Sequence, residues 1–261
     1  VTETYQDSLL GKDSPGEQRR LGAIQSTVDG FTTDILSGLG IADDWHCLEL
    51  GAGAGSIARW LAERCTAGRV VAVDVDIRYL DSAANVDVVQ ADITDQDFAP
   101  GRFDLVHARF LLCHLPGRDE LIKRAAQWLK PGGWLVVTDP YQLPADTSPF
   151  PVMTRIMDAY RQVFAGHGAD LTWARQVPTL LAQAGLSSID FTGRLACMGN
   201  LDRDRWRPLI DQVVPGLLAT GDVTQADVDE FHTLLADPTF IDIPQVTFAA
   251  WGRATAAGQE G

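Results

Sequence analysis

Positive charge is scarce in this chain: 21 Lys and Arg stand against 35 Asp and Glu, a formal net charge of -14 at pH 7. A surface of that sign repels phosphate backbones, so no nucleic-acid partner is expected. Cysteine is sparse as well. Cys47, Cys65, Cys113 and Cys197 show no CxxC spacing, and three of them lie in apolar stretches that suit a small buried thiol. Neither a disulfide framework nor a zinc site is expected. The chain also lacks any run of about 18 uncharged apolar residues, and its first residues show no basic stretch leading into an apolar one. The expectation is a soluble cytoplasmic protein with no membrane partner. Repeats and low-complexity tracts are absent too, which leaves no sign of a solenoid or a linker-joined pair of domains.

What is present is enough apolar residue, 46% of 261 positions, to bury one sizeable core. Leu21, Ile24, Val28, Phe31 and Ile35 recur at three and four, the spacing of one face of a helix over Glu17 to Leu39. A short apolar strand, His46 to Leu50, then runs into a glycine turn and a helix from Ile57. The rhythm continues with strand Arg69 to Val73, a helix from about Ile77 to Ala84, strand Val86 to Gln90 and strand Phe103 to Ala108. Helix Arg118 to Leu129 and strand Trp134 to Thr138 follow, joined by Lys130-Pro-Gly-Gly133, where a helix cannot continue. Alternation of this kind predicts a mostly parallel sheet covered by helices on both faces.

After Asp139 the alternation breaks. Pro140, Pro144, Pro149 and Pro151 precede a helix over Val152 to Phe164, which reads as a lid. A helix over Thr172 to Ala184, strand Ser188 to Arg194, two helices within Asp202 to Ala236 and strand Gln245 to Trp251 complete the chain, with Thr255 to Gly261 as a tail. The expected organisation is therefore an N-terminal helical segment (1–44), a ligand-binding core (45–139), a lid (140–171) and a C-terminal part of the core (172–261) carrying a helical insert (202–236).

The strongest motif is Leu48-Glu-Leu-Gly51-Ala-Gly53-Ala-Gly55. Glycines at alternate positions let the backbone turn tightly and approach a ligand. The spacing is one residue shorter than the GxGxxG turn that holds a dinucleotide pyrophosphate, so a nucleoside without one suits it better. The alternative is a tight turn with no ligand. About 20 residues on, Asp74 ends the second strand where a carboxylate can accept hydrogen bonds from both ribose hydroxyls. Asp76 competes with it, or caps the helix that follows. Asp92, after the third strand, can meet an adenine amino group while Ile93 packs on the ring; its other reading is an exposed loop aspartate.

Taken in order with Phe103-Asp-Leu-Val106 and Leu129-Lys-Pro-Gly-Gly-Trp-Leu-Val136, these motifs resemble the class I S-adenosylmethionine-dependent methyltransferases. The resemblance covers residues 45 to 140 by motif and the rest more weakly, through the segment Tyr5 to Leu21, the proline-rich lid and a last strand ending Trp-Gly-Arg. It implies a Rossmann-like α/β sheet of seven strands, mostly parallel with the last antiparallel, plus N-terminal helices and a helical lid. It implies S-adenosylmethionine as cofactor, with S-adenosylhomocysteine as product. Glu49 would orient the methionine ammonium, the turn at Gly51, Gly53 and Gly55 would hold the methionine part, and Asp74, Val75, Ala91, Asp92, Ile93 and Ala108 would complete the cofactor site. No metal is implied, since Asp92, Asp95 and Asp97 are accounted for by the cofactor loop and by turns.

Methylases of amide or base nitrogens carry Asn/Asp-Pro-Pro-Tyr/Phe after the fourth strand, where this chain reads His107-Ala-Arg-Phe110. With the acidic charge, this favours a small-molecule acceptor of the kind modified in bacterial natural-product tailoring. The alternative keeps the cofactor but uses it for cyclisation or rearrangement, because a fold does not dictate chemistry. A general base is optional in such a transfer; His107, His114, His167 and Tyr141 are the candidates. Each has a plainer reading: a core histidine for His107, loop packing or a cofactor-edge contact for His114, a solvated loop residue for His167 and a capping or turn residue for Tyr141. Arg20 and Gln25 either close over the methionine carboxylate or belong to a solvated helix face. Apolar positions of the first helix and of the insert serve either a homodimer or closure of the domain.

Overall fold

Strands His46–Leu50 (β1), Arg69–Asp74 (β2), Val86–Gln90 (β3) and Phe103–Arg109 (β4) pair in parallel. Their central members are apolar at successive positions, as strands covered on both faces must be. Leu129–Gln142 (β5) continues the parallel set beside β4, and Ile241–Ala254 (β7) lies antiparallel between β5 and Leu186–Gly199 (β6). The sheet order is β3-β2-β1-β4-β5-β7-β6. Successive strands run outward in opposite directions from the β1/β4 junction, which opens a crevice at the carboxyl ends of those strands. The structure is a computed structural model that describes residues 17–199 and 203–255, the side chains of 203–205 apart. The expected segment from Tyr5 to Gly16 and the tail after Thr255 lie outside the described residues.

Helices Glu17–Gly38 (α1) and Ser56–Arg64 (α2) bury Leu36, Ile57 and Leu61 against one face of the sheet, together with Cys47, Val70 and Leu105. On the other face, Arg118–Trp128 (α3) and Val177–Gln183 (α5) pack Leu121, Ile122 and Leu181 on Leu48, Val106 and Val137. Helices Pro151–Gly166 (α4), Arg203–Ala219 (α6) and Gln225–Ala236 (α7) form a cap with its own apolar core of Met153, Ile156, Trp206, Ile210 and Phe231. Stretches separated by some 40 residues in the chain thus become one body. The start of α7 is set by Thr224 and Asp227, whose side chains exchange hydrogen bonds with each other's backbone amides, a capping box worth roughly 1 kcal/mol.

Three local expectations are corrected. No helix forms over Ile77 to Ala84; the segment is a run of turns closed by a bridge between Ala83 and Val86. Asp76 is there an Asx-turn acceptor from the Arg78 amide at 3.1 Å, a local bond that competes with helix formation. Lys130 to Gly133 belongs to β5 and not to a turn, with a register shift against β4 between Phe103 and Leu105. A side chain at Gly133 would stand 2.9 Å from the Phe103 carbonyl oxygen, so only glycine permits that approach. The helix expected from Thr172 begins as a single 3-10 turn, Trp173–Gln176, before α5 starts near Pro178. The four cysteines are free thiols. Cys47 and Cys65 touch at 3.6 Å, well beyond the roughly 2.05 Å of a disulfide.

Candidate active site

The glycine turn leaves β1 at the crevice. Gly51, Gly53 and Gly55 have φ values of 63°, 59° and 74°, the left-handed region that side chains disfavour, which is why the sequence alternates glycine there. The turn is tied to β2 by the Asp74 carboxylate, which accepts from the Gly53 amide at 2.8 Å and from the Asp76 amide at 3.0 Å. Asp74 is 8% exposed and lines a cleft of about 950 Å³, counting its open mouth. Around this cleft the structure brings together Glu49, Gly51, Gly53 and Asp74, with Val75, Ala91, Asp92 and Ile93 on the far side. Asp92 uses one carboxylate oxygen to accept from the Thr94 amide and hydroxyl, at 2.8 and 2.7 Å.

Two expected cofactor residues stand apart from this group. Gly55 is the N-cap of α2 and Ala108 is buried within β4, and neither lines the cleft. The chain turns instead at Phe110, a non-glycine residue with φ of 51°, whose amide donates to the Thr138 carbonyl at 2.8 Å. A bulky side chain in that conformation is strained, and strain of this sort gathers at functional sites. No local signal marks Phe110 in the sequence. The same holds for Arg109, whose guanidinium donates to Asp29 at 2.7 Å and to Thr32 at 3.3 Å and so straps α1 across the sheet. Arg20 is also no part of a solvated face: it is buried, lines the cleft and donates to Glu17 at 2.8 and 2.6 Å. Gln25 lines the same cleft.

Arg20, Ile24 and Phe110 also line a second, adjoining cleft of about 560 Å³ under α4, whose wall includes His114, Tyr160, Phe164 and Gln245. Of the four candidates for a base, only His114 reaches it. Burial first, then the charges of Arg20 and Arg118, lower its pKa to about 4, so the ring is neutral at pH 7. His107 is fully buried and holds Glu49 through Nδ1 at 2.7 Å, a core histidine outside both clefts. His167 is exposed at the end of α4, where its Nδ1 donates to the Val163 carbonyl at 2.9 Å. Tyr141 sits on β5 next to Pro140. It is Pro140 that lines the cleft, because adjacent strand residues point to opposite faces. Among the described residues no group of three or more His, Cys, Asp or Glu is arranged to hold a metal, and no helix is long and apolar enough to cross a membrane.

Asp139, at the end of β5, gives a pH signature. It is 1% exposed, accepts from the Cys113 amide at 3.1 Å, and leaves Oδ1 without a hydrogen bond. Burial pushes its pKa from 3.8 to about 7. The folded state therefore holds a proton that the unfolded chain releases, and stability falls as pH rises from about 4 to about 7. His114 acts in the opposite sense, losing stability as pH falls from 6.5 towards about 4. Asp139→Asn removes only the first effect. Urea unfolding at pH 5 and pH 8 is expected to show the variant gaining on the parent at the higher pH; a pH-independent difference between the two would contradict this.

The residues present fit a nucleoside sulfonium: the close-approach loop, a carboxylate at the second strand's end and an apolar Ile93 share one cleft. The sheet order and the cleft at its carboxyl strand ends are those that the resemblance to class I S-adenosylmethionine-dependent methyltransferases implies. Residues 48–137 match the family described as methyltransferase domain. The chain is similar to methyltransferase str3 of Strobilurus tenacellus, 35% identical over 127 residues, which is 47% of this chain and 45% of that protein. It spans less than half the length of the first curated relatives it matches. Among solved structures, phosphoethanolamine N-methyltransferase 2 of Haemonchus contortus, in complex with phosphomonomethylethanolamine and S-adenosylhomocysteine, superposes with a TM-score of 0.63 at 19% identity. That match covers 97% of this chain and 60% of the other. The [4+2]-cyclase SpnF superposes at 0.57 with 18% identity, over 89% of this chain and 84% of that one. At such identities the superpositions establish the fold.

Proposed function

We propose that this protein is a methyltransferase that transfers a methyl group from S-adenosylmethionine to O, N or C of a small molecule, in the bacterial cytoplasm and in secondary metabolism. One observation carries the reading: the Asp74 carboxylate locks the Gly51–Gly55 loop onto a cleft that adjoins an aromatic one at Phe110. In this reading residues 45–139 bind the cofactor, while 140–171 and the insert 202–236 cover the acceptor. S-adenosylmethionine, when bound, supplies an electrophilic methyl group on a sulfonium.

The chain's own residues have two tasks. Gly51, Gly53, Asp74, Asp92 and Ile93 hold the nucleoside end, with Glu49 and Arg20 at the methionine end. The α4 cap excludes water and presents the acceptor along one line. Such positioning supplies on the order of 7 to 11 kcal/mol of a displacement barrier, with no base required.

The test is incubation with methyl-labelled S-adenosylmethionine and a panel of small metabolites. Labelled product heavier by one CH₂ unit, together with S-adenosylhomocysteine, is expected. Failure of the protein to bind either cofactor form would end the proposal. A second reading keeps the cofactor unconsumed and uses the same clefts for cyclisation, in line with the fold shared with SpnF. A product of unchanged mass with no S-adenosylhomocysteine formed would favour it.

A further inference from the structure

The second cleft has a chemical character of its own. Its walls are apolar and aromatic: Tyr160 and Phe164 stand 4.5 Å apart between ring centroids, and His114 continues the wall 5.7 Å from Phe164. Leu171 adds to it. The cleft measures about 560 Å³ with its open mouth included, and these rings line it.

Two polar side chains face this space without a partner. Gln245 on β7 is 6% exposed, and its carboxamide makes no hydrogen bond among the described residues. The His114 imidazole makes none either. Neither side chain spends its polar atoms on the described residues, so the two converge on one cavity as hydrogen-bonding groups open to a ligand. Both are neutral at pH 7, because burial keeps the His114 ring deprotonated.

Charge in the cleft is also accounted for. Among the described residues Arg20 is the charged side chain of its lining, and its guanidinium is bound twice by Glu17. Among the described residues no carboxylate lines the cleft. A phosphate dianion would be desolvated there against a guanidinium whose charge is already neutralised. An ammonium group would be desolvated there with no lining carboxylate among the described residues to hold it.

We propose that this cleft is the acceptor site and that it takes a neutral ring compound bearing a hydroxyl or carbonyl, which hydrogen-bonds to His114 and Gln245. The role as acceptor site rests on the methyl-transfer reading; the ligand chemistry rests on the cleft alone. The likeness to a phosphoethanolamine methyltransferase therefore extends to the fold and not to the ligand.

The test uses one ring with three substituents. Naphthol, naphthyl phosphate and naphthylmethylammonium are titrated into the protein, with and without S-adenosylhomocysteine, and followed by saturation-transfer NMR and calorimetry. Naphthol is expected to bind at least about tenfold more tightly than either charged compound. His114→Phe and Gln245→Leu, each checked for an unchanged thermal midpoint, are each expected to weaken naphthol about tenfold. Failure of naphthol to bind, equal or tighter binding of a charged compound, or unchanged naphthol affinity in both folded variants would overturn the proposal. A protein that binds naphthol in this pattern but not S-adenosylhomocysteine would instead refute the methyl-transfer reading and leave the ligand assignment standing.

Discussion

Asp74→Ala is expected to weaken S-adenosylhomocysteine binding by about two orders of magnitude or more, measured by titration calorimetry. The carboxylate accepts from the Gly53 and Asp76 amides, and each hydrogen bond to a charged group contributes roughly 1.5 to 3 kcal/mol. Losing it both frees the glycine loop and removes the acceptor that faces the ribose in the proposed site. Asp74→Asn separates these contributions. It keeps one oxygen, but its amide nitrogen must confront a backbone donor, so an intermediate loss is expected. Affinity within about threefold of the parent in the alanine variant would mean that this strand end does not hold the nucleoside.

The second large effect is on stability. Gly68 precedes β2, and a methyl group there would stand 2.0 Å from the Trp45 carbonyl oxygen and 2.8 Å from the Asp44 carbonyl carbon. These are backbone atoms at the entry to β1, and the Trp45 carbonyl also accepts from the Arg69 amide at 3.1 Å. The chain can relieve the clash only by pulling β1 and β2 apart at their start. Gly68→Ala is expected to cost about 3 kcal/mol and lower the thermal midpoint by about 10 °C. Gly30→Ala, inside α1 with nothing within 4 Å of the added carbon, is the matched control, expected to stabilise by about 0.5 to 1 kcal/mol. Equal midpoints for the two variants would show that the close approach at Gly68 is not rigid.

The first cleft was legible in the sequence because most of its residues lie next to the turns that place them. Glu49, Gly51 and Gly53 follow one strand, Asp74 and Val75 end the next, and Ala91 to Ile93 the third. Parallel pairing then brings these ends to one side. The second cleft had no such local signature. Arg20 comes from α1, Phe110 from the end of β4, Phe164 from α4 and Gln245 from β7, and only packing makes them neighbours. The same limit explains why His107, His167 and Tyr141 were candidates. Their residue type suits a base, but burial behind Glu49, exposure at a helix end and strand parity each depend on the fold.

The sequence alone determined the alternation of strands and helices, the glycine turn and the acidic strand ends, because backbone conformation and short-range periodicity are set within a few residues. Tertiary structure alone decided that α4, α6 and α7 join into one cap, that Arg20 is neutralised by Glu17 inside the crevice, and that His114 and Gln245 face a common space. Such properties depend on distances between residues up to 225 positions apart, which burial and packing set and no local pattern encodes.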